Sequence, residues 1–205
     1  GLGLDRAHVV STSLGGYVAL RGAATHPDRV GRMVQFAWTM GAPIGTTPST
    51  MRFAAIPGLG ALMTKVPPTR FAVKQILKQI GLSRALAAGR VSEEMTGWFL
   101  ALLRDTNTMG NELRSNPKVV TPIRGINERM LLSDELIRRV VSPVLFVWGD
   151  EDPMGGGDVA RSFAARFPDA IVEMLPLAGH APWIDDPDRC ARLAQDFLDG
   201  SVGPP

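Results

Sequence analysis

Ser13 stands at a corner of the sequence. The stretch VVSTSLGGYVAL, residues 9–20, passes from a run of β-branched residues into a glycine pair, Gly15-Gly16, that opens a helical pattern. A serine hydroxyl attacks a carbonyl only when a base takes its proton, a third group orients that base, and N–H donors hold the oxyanion that forms. A sharp strand-to-helix turn presents such a hydroxyl above a sheet edge, and it needs small neighbours because backbone and helix crowd together there. Ser13-Leu14-Gly15-Gly16 supplies them on the helix side. The amide of Leu14 would then lie at a helix N-terminus, where the dipole favours an anion, and is the candidate oxyanion donor.

The elements needed to hold such a site can be read along the chain. Residues 7–12 form a strand-like run, followed by a helix that carries Tyr17, Leu20, Ala23 and Ala24 and ends at His26-Pro27. GRMVQFA (31–37), PVLFVWG (143–149) and AIVEMLP (170–176) read as further strands. DVARSFAARFP lies between the last two with an amphipathic period, and DPDRCARLAQDFL follows them with Pro187 in its first turn. Strand and helix alternate, which predicts an α/β fold: a mostly parallel sheet flanked by helices.

Between residues 43 and 130 the alternation stops. Turn signals (TTPST, PGLG, VPPT) give way to helical patterns, among them RFAVKQILKQIG and SEEMTGWFLALLRD, the latter with Ser92 as N-cap and Glu93 and Glu94 in its first turn. Residues 43–130 therefore read as a helical cap inserted into a core made of 1–42 and 131–200. The tail DGSVGPP lacks an apolar pattern and is expected to fray.

Bulk properties bound the function classes. The 205 residues, 45% hydrophobic, suit one domain with a substantial core. Twenty-two basic and 20 acidic residues leave +2, scattered without a basic block, which argues against nucleic-acid binding. No apolar run approaches the roughly 20 residues of a membrane helix, and no charged-then-apolar leader precedes the first strand. The lone cysteine, Cys190, has no internal partner and suits a reducing compartment, so a soluble cytoplasmic protein is expected.

STSLGG resembles the nucleophile elbow of the α/β-hydrolase superfamily, written G-x-S-x-G, with Ser13 at the serine and Gly15 at the second glycine. Ser11 replaces the first glycine, and its Cβ and hydroxyl are expected to crowd the turn. As a nucleophile Ser11 ranks below Ser13, because it sits within the strand and lacks the glycines that follow Ser13. VLFVWGDEDP places Asp152 just past a strand end, resembling the family's acid; Asp150 and Glu151 read as solvated loop acids. LAGHAPWIDDPDR resembles the family's histidine segment and marks His180, whereas His8 and His26 read as surface residues. The order Ser13, Asp152, His180 matches the family's order. The resemblance implies that Ser13 attacks a carbonyl, His180 relays the proton, Asp152 holds the imidazole tautomer, and water releases an acyl-enzyme.

No metal or cofactor is called for, and Cys190 on the last helix reads as a core residue. The family's second oxyanion donor comes from a loop commonly marked by His-Gly, which this chain lacks. The resemblance covers the C-terminal two-thirds or so of a full-length hydrolase. The chain thus reads as beginning mid-domain at Gly1, with the 7–12 strand left as an exposed edge and the segment alone weakly active or poorly soluble.

A serine rather than an aspartate at the elbow argues against epoxide or haloalkane substrates. A small, apolar carboxylic ester is the first expectation. C–C hydrolase or perhydrolase chemistry is the close variant, and a non-catalytic ligand-binding protein of the same fold the alternative from another class. Met51, Phe53, Leu59, Leu62, Met63, Phe71, Trp98 and Phe99 of the insertion suggest an apolar pocket, with at least half of them expected to pack cap against core. Trp38, Met40 and Trp183 adjoin the catalytic loops and are the candidate substrate-binding residues. Oligomeric state is not legible.

Overall fold

The computed structural model describes residues 3–63 and 65–201. β1 (Ala7–Thr12) runs straight into α1 (Ser13–Thr25), and β2 (Val30–Phe36) follows. Six helices come next: α2 (Ser49–Ala54), α3 (Leu59–Met63), α4 (Arg70–Gln79), α5 (Ser83–Ala87), α6 (Glu93–Asp105) and α7 (Thr108–Val119). A two-residue-strand hairpin, β3 (Val120–Thr121) and β4 (Gly125–Ile126), a 3₁₀ turn at Glu128–Met130 and α8 (Asp134–Arg138) lead back to the sheet. β5 (Val144–Gly149), α9 (Gly157–Ala164), β6 (Ala170–Leu175), α10 (Pro182–Asp185) and α11 (Pro187–Leu198) complete the order. Residues 202–205 of the tail expected to fray lie outside the described residues.

The main sheet is parallel throughout, in the order β1-β2-β5-β6. β5 is buried along its whole length, and its alternation divides the core. Val144, Phe146 and Trp148 face a cluster with Leu20 and Ala23 of α1, Ile137 of α8 and Phe163 of α9. Leu145 and Val147 face the other side, with Val34, Leu175, Cys190 and Phe197. Helices therefore cover both faces. Phe146, Phe163 and Phe167 meet edge-on with centroids 5.2–5.7 Å apart; each fully buried ring of this kind contributes about 1.5–3 kcal/mol.

β1 is an edge strand of the described sheet, and Val10 within it and Val18 on α1 are exposed. The helices between residues 43 and 130 form as read where the caps are strong: the Ser92 hydroxyl accepts from Met95 N–H at 3.0 Å and the Thr69 hydroxyl from Ala72 N–H at 3.1 Å. The eight apolar residues singled out there divide, with Met51, Leu59, Met63 and Phe99 half-buried. Phe53, Leu62, Phe71 and Trp98 are exposed, so they do not pack against the core. That contact is made by Val73, Leu77, Leu82, Ala85 and Val91, which cluster with Ala181 and Ile184 beside His180, with Phe99 packed against their edge. The stripe on α4 repeats at four residues (Val73, Leu77), so a single helix face, not bulk, selects the packing side chains.

Candidate active site

The sheet's carboxyl edge gathers the three predicted residues: Ser13 follows β1, Asp152 follows β5 and His180 follows β6. In an open parallel sheet this edge is where ligands bind. Three non-glycine residues have positive φ among the described residues, Ser13 (50°), Ala37 (65°) and Leu177 (61°), and each lies just past the carboxyl end of a strand. Such conformations cost of order 1–3 kcal/mol each and persist where the surroundings over-determine them.

At the elbow, Thr12 does not cap α1; its hydroxyl donates to Phe36 O at 3.0 Å instead. The first-turn amides of α1, Leu14 among them, thus have no side-chain cap, and the Leu14 side chain itself is exposed. Ser11 does not crowd the turn: a Cβ on Gly15 would sit 3.7 Å from Ser11 Cβ, ordinary contact, and the Ser11 hydroxyl donates to buried Gln35 Oε1 at 2.9 Å. The tight place is one residue on. A Cβ on Gly16 would overlap Gln35 Oε1 and lie 2.8 Å from Thr39 Cγ2, both side chains being fully buried.

A stability prediction follows from this contrast. Glycine to alanine inside a helix ordinarily stabilises by about 0.5–1 kcal/mol, and Gly22→Ala, with open space at its Cβ, should do so. Gly16→Ala should instead destabilise by about 1–3 kcal/mol. Urea unfolding of the two variants checks the opposite signs.

Asp152 is held from three sides. Its Oδ2 accepts from His180 Nδ1 at 2.8 Å and from Trp38 N–H at 2.9 Å, and its Oδ1 accepts from Met154 N–H at 3.0 Å. Ala37, at φ 65°, follows β2 just before the Trp38 amide that meets this carboxylate. Both Asp152 and His180 are buried. The pair thus has the geometry of a carboxylate fixing one imidazole tautomer, with Nε2 left for a proton acceptor's work. Among the described residues the Ser13 hydroxyl makes no hydrogen bond to His180; such bonds are often long in unliganded sites and tighten with substrate.

The loops owe their courses to glycine. A Cβ on Gly149 would overlap the carbonyl oxygens of Ala178 and Gly179, so the end of β5 must be bare for the His180 loop to cross it. Gly179 N–H donates to Asp185 Oδ2 at 2.9 Å, which ties that loop to the end of α10.

Of the candidate substrate-binding residues, Trp38 is buried, its indole N–H donating to Pro43 O at 2.9 Å and its ring centroid 6.5 Å from that of His180. Met40 is buried, and its N–H donates to Ser13 O at 3.3 Å. Trp183 is partly exposed, its ring edge-on to Phe36 at 5.8 Å. Sequence reasoning missed Gln35 and Thr39 beneath the elbow; a glutamine within the apolar run MVQFA was the signal available. It also missed the contacts of Ile80 and Gly81 with the His180 loop. Asp150 and Glu151 are exposed as read, and Glu151 in addition forms a bidentate pair with Arg84 of α5, 3.0 Å at each oxygen.

Cys190 is buried on α11, and desolvation pushes its thiol up from 9.0 to about 12. The thiolate is the reactive form, so the native protein should resist an alkylating thiol reagent at pH 8 and react quickly once denatured. Because the folded value is raised, the stabilising contribution is intact below pH 9 and is lost as pH rises from 9 towards 12. No group of three or more His, Cys, Asp or Glu among the described residues is placed to hold a metal, and no helix among them is long and apolar enough to cross a membrane.

Comparisons with known proteins bear on the fold. The chain is 27% identical over 198 residues to a 2-hydroxy-6-oxo-6-phenylhexa-2,4-dienoate hydrolase of Burkholderia cepacia. It is 28% identical over 200 residues to a 2-hydroxy-6-oxononadienedioate/2-hydroxy-6-oxononatrienedioate hydrolase of Comamonas testosteroni. Each alignment takes in 96% of this chain and 64% of the relative, so the chain spans just under two thirds of their length. A meta-cleavage product hydrolase from Pseudomonas fluorescens IP01 shares the fold, with a TM-score of 0.71 over 98% of this chain and 67% of that one, at 20% identity. The sequence model described as the alpha/beta hydrolase family matches residues 1–193, and the chain belongs to that family.

Proposed function

We propose that this chain carries the triad of a serine hydrolase that cleaves a carbon–carbon bond beside a ketone. The observation that carries the hydrolase reading is the buried Asp152–His180 pair at the same sheet edge as the strained Ser13. The bond type is supported by the relatives, whose names specify a 6-oxo dienoate in one case and 6-oxo dienedioate and trienedioate in the other; the ester expected first from the sequence has no such support.

Ser13 Oγ attacks the keto carbon while His180 Nε2 takes its proton, and Asp152 offsets the imidazolium charge. The Leu14 amide donates to the oxyanion. The carbonyl reforms as the C–C bond breaks, the departing carbon takes a proton, and one water then releases the acyl group as a carboxylic acid. Trp38, Met40 and Trp183 border the substrate, and residues 43–130 cap a core of 1–42 and 131–200. The substrate is a small molecule handled in the cytoplasm.

The test compares two substrates on the full-length protein. With 2-hydroxy-6-oxo-6-phenylhexa-2,4-dienoate, benzoate should form with a kcat/KM at least tenfold above that for p-nitrophenyl butyrate. The reverse preference would return the assignment to an esterase.

A further inference from the structure

We infer that the turn between α4 and α5 positions the general base, so that the insertion sets His180 through direct backbone contact. The inference rests on the serine-hydrolase reading and adds a positioning residue, Gly81, to it.

The C-terminal carbonyl of an α-helix lacks an intrahelical partner. At the end of α4 the Ile80 carbonyl finds one in the active-site loop, accepting from the N–H of His180 itself at 2.9 Å. The next residue, Gly81, has φ +88° and lies against both catalytic loops at once. A Cβ there would be 2.9 Å from Gly179 Cα, 3.1 Å from Glu151 O and 3.2 Å from Pro153 Cδ. These are the neighbours of His180 and Asp152 in sequence. The contact is reciprocal, since a Cβ on Gly179 would lie 2.6 Å from Gly81 C and O. Two glycines thus let two backbones touch where any side chain would force them apart.

Polar links on either side hold the same junction. Arg84, at the start of α5, grips Glu151 with two hydrogen bonds of 3.0 Å. Arg90 approaches Asp185 Oδ1 at 3.5 Å, while Oδ2 of that carboxylate accepts from Gly179 N–H. Beneath them Leu77, Leu82 and Ala85 pack with Ala181 and Ile184. A shift of the insertion therefore moves the imidazole, and displacement by about 1 Å costs on the order of 10²-fold in rate.

Gly89 provides the control. It too has positive φ, +70°, in the insertion, but has open space around its Cβ. Gly89→Ala therefore carries the backbone strain without the collision. The test measures inactivation of the full-length protein by an ethoxy fluorophosphonate, separating the maximal rate kinact from the affinity KI. Gly81→Ala should lower kinact about 10- to 100-fold with KI within threefold of wild type, and should shift or broaden the low-field proton resonance of His180 Nδ1–H; Gly89→Ala should do neither. Glu151→Gln, which breaks the Arg84 pair at a half-exposed position, should lower kinact two- to fivefold with an unchanged melting temperature, and reads the same coupling should Gly81→Ala fail to fold. A wild-type kinact in Glu151→Gln together with equal losses in Gly81→Ala and Gly89→Ala, or a loss confined to KI, overturns the inference while the hydrolase reading stands. A wild type that the probe does not label at all overturns the hydrolase reading, and this inference with it.

Discussion

Asp152→Asn is expected to lower kcat by about 10⁴ with little change in KM. An asparagine fits the space, but its two ends differ. With the amide oxygen at the Oδ2 position, it satisfies Trp38 N–H and His180 Nδ1 and turns its NH₂ against Met154 N–H. Reversed, it satisfies Met154 and presents NH₂ to Trp38 N–H and to the imidazole, which must then carry its proton on Nε2 and can no longer accept one from Ser13. Either orientation leaves a buried donor facing a donor, which costs about 1–3 kcal/mol of stability. Kinetics on the preferred substrate and a urea titration of the same variant check both halves. Unchanged kcat would remove Asp152 from the site.

Gly149→Ala should produce the largest stability loss of any single methyl added at the active-site edge. The new Cβ overlaps two backbone carbonyls, Ala178 and Gly179, which belong to the His180 loop and have no rotamer to change. Overpacking of this kind costs about 2–3 kcal/mol, which for a chain of this length corresponds to a fall in Tm of roughly 5–10 °C. Relief comes only by lifting the loop, so kcat should fall alongside, by about tenfold or more. Calorimetry and steady-state kinetics on one preparation test the coupling; a lost Tm with kcat intact would show that the loop can rise without moving His180.

Local chemistry made much of this fold legible. The four strands of the main sheet were readable because each is a short run carrying at least two β-branched residues. Asp186 could be read as a cap because Pro187 follows it, and its carboxylate does accept from Arg189 N–H at 3.1 Å. α7 was not legible: TMGNELRSNPKV combines Gly110, Asn111, Asn116 and Pro117, poor helix formers. The helix is instead held by tertiary contact, with buried Asn116 donating through Nδ2 to Met51 O at 2.6 Å.

The same division runs through the candidate site. Ser13, Asp152 and His180 lie in short contiguous motifs at strand ends, and local pattern marked them. The supports around them come from distant sequence. Trp38 and Asp152 are 114 positions apart, and Ser11 and Gln35 are 24 apart, so no window of sequence pairs them. Glu151 read as a solvated acid because its partner, Arg84, approaches through folding alone.

The site and rate of covalent labelling by a fluorophosphonate test the central claim most directly. A single adduct should map to Ser13 and be absent from Ser13→Ala, and His180→Ala should slow its formation by about 10³-fold or more. An adduct on another residue, Ser11 included, or a wild-type labelling rate in His180→Ala, would contradict the account.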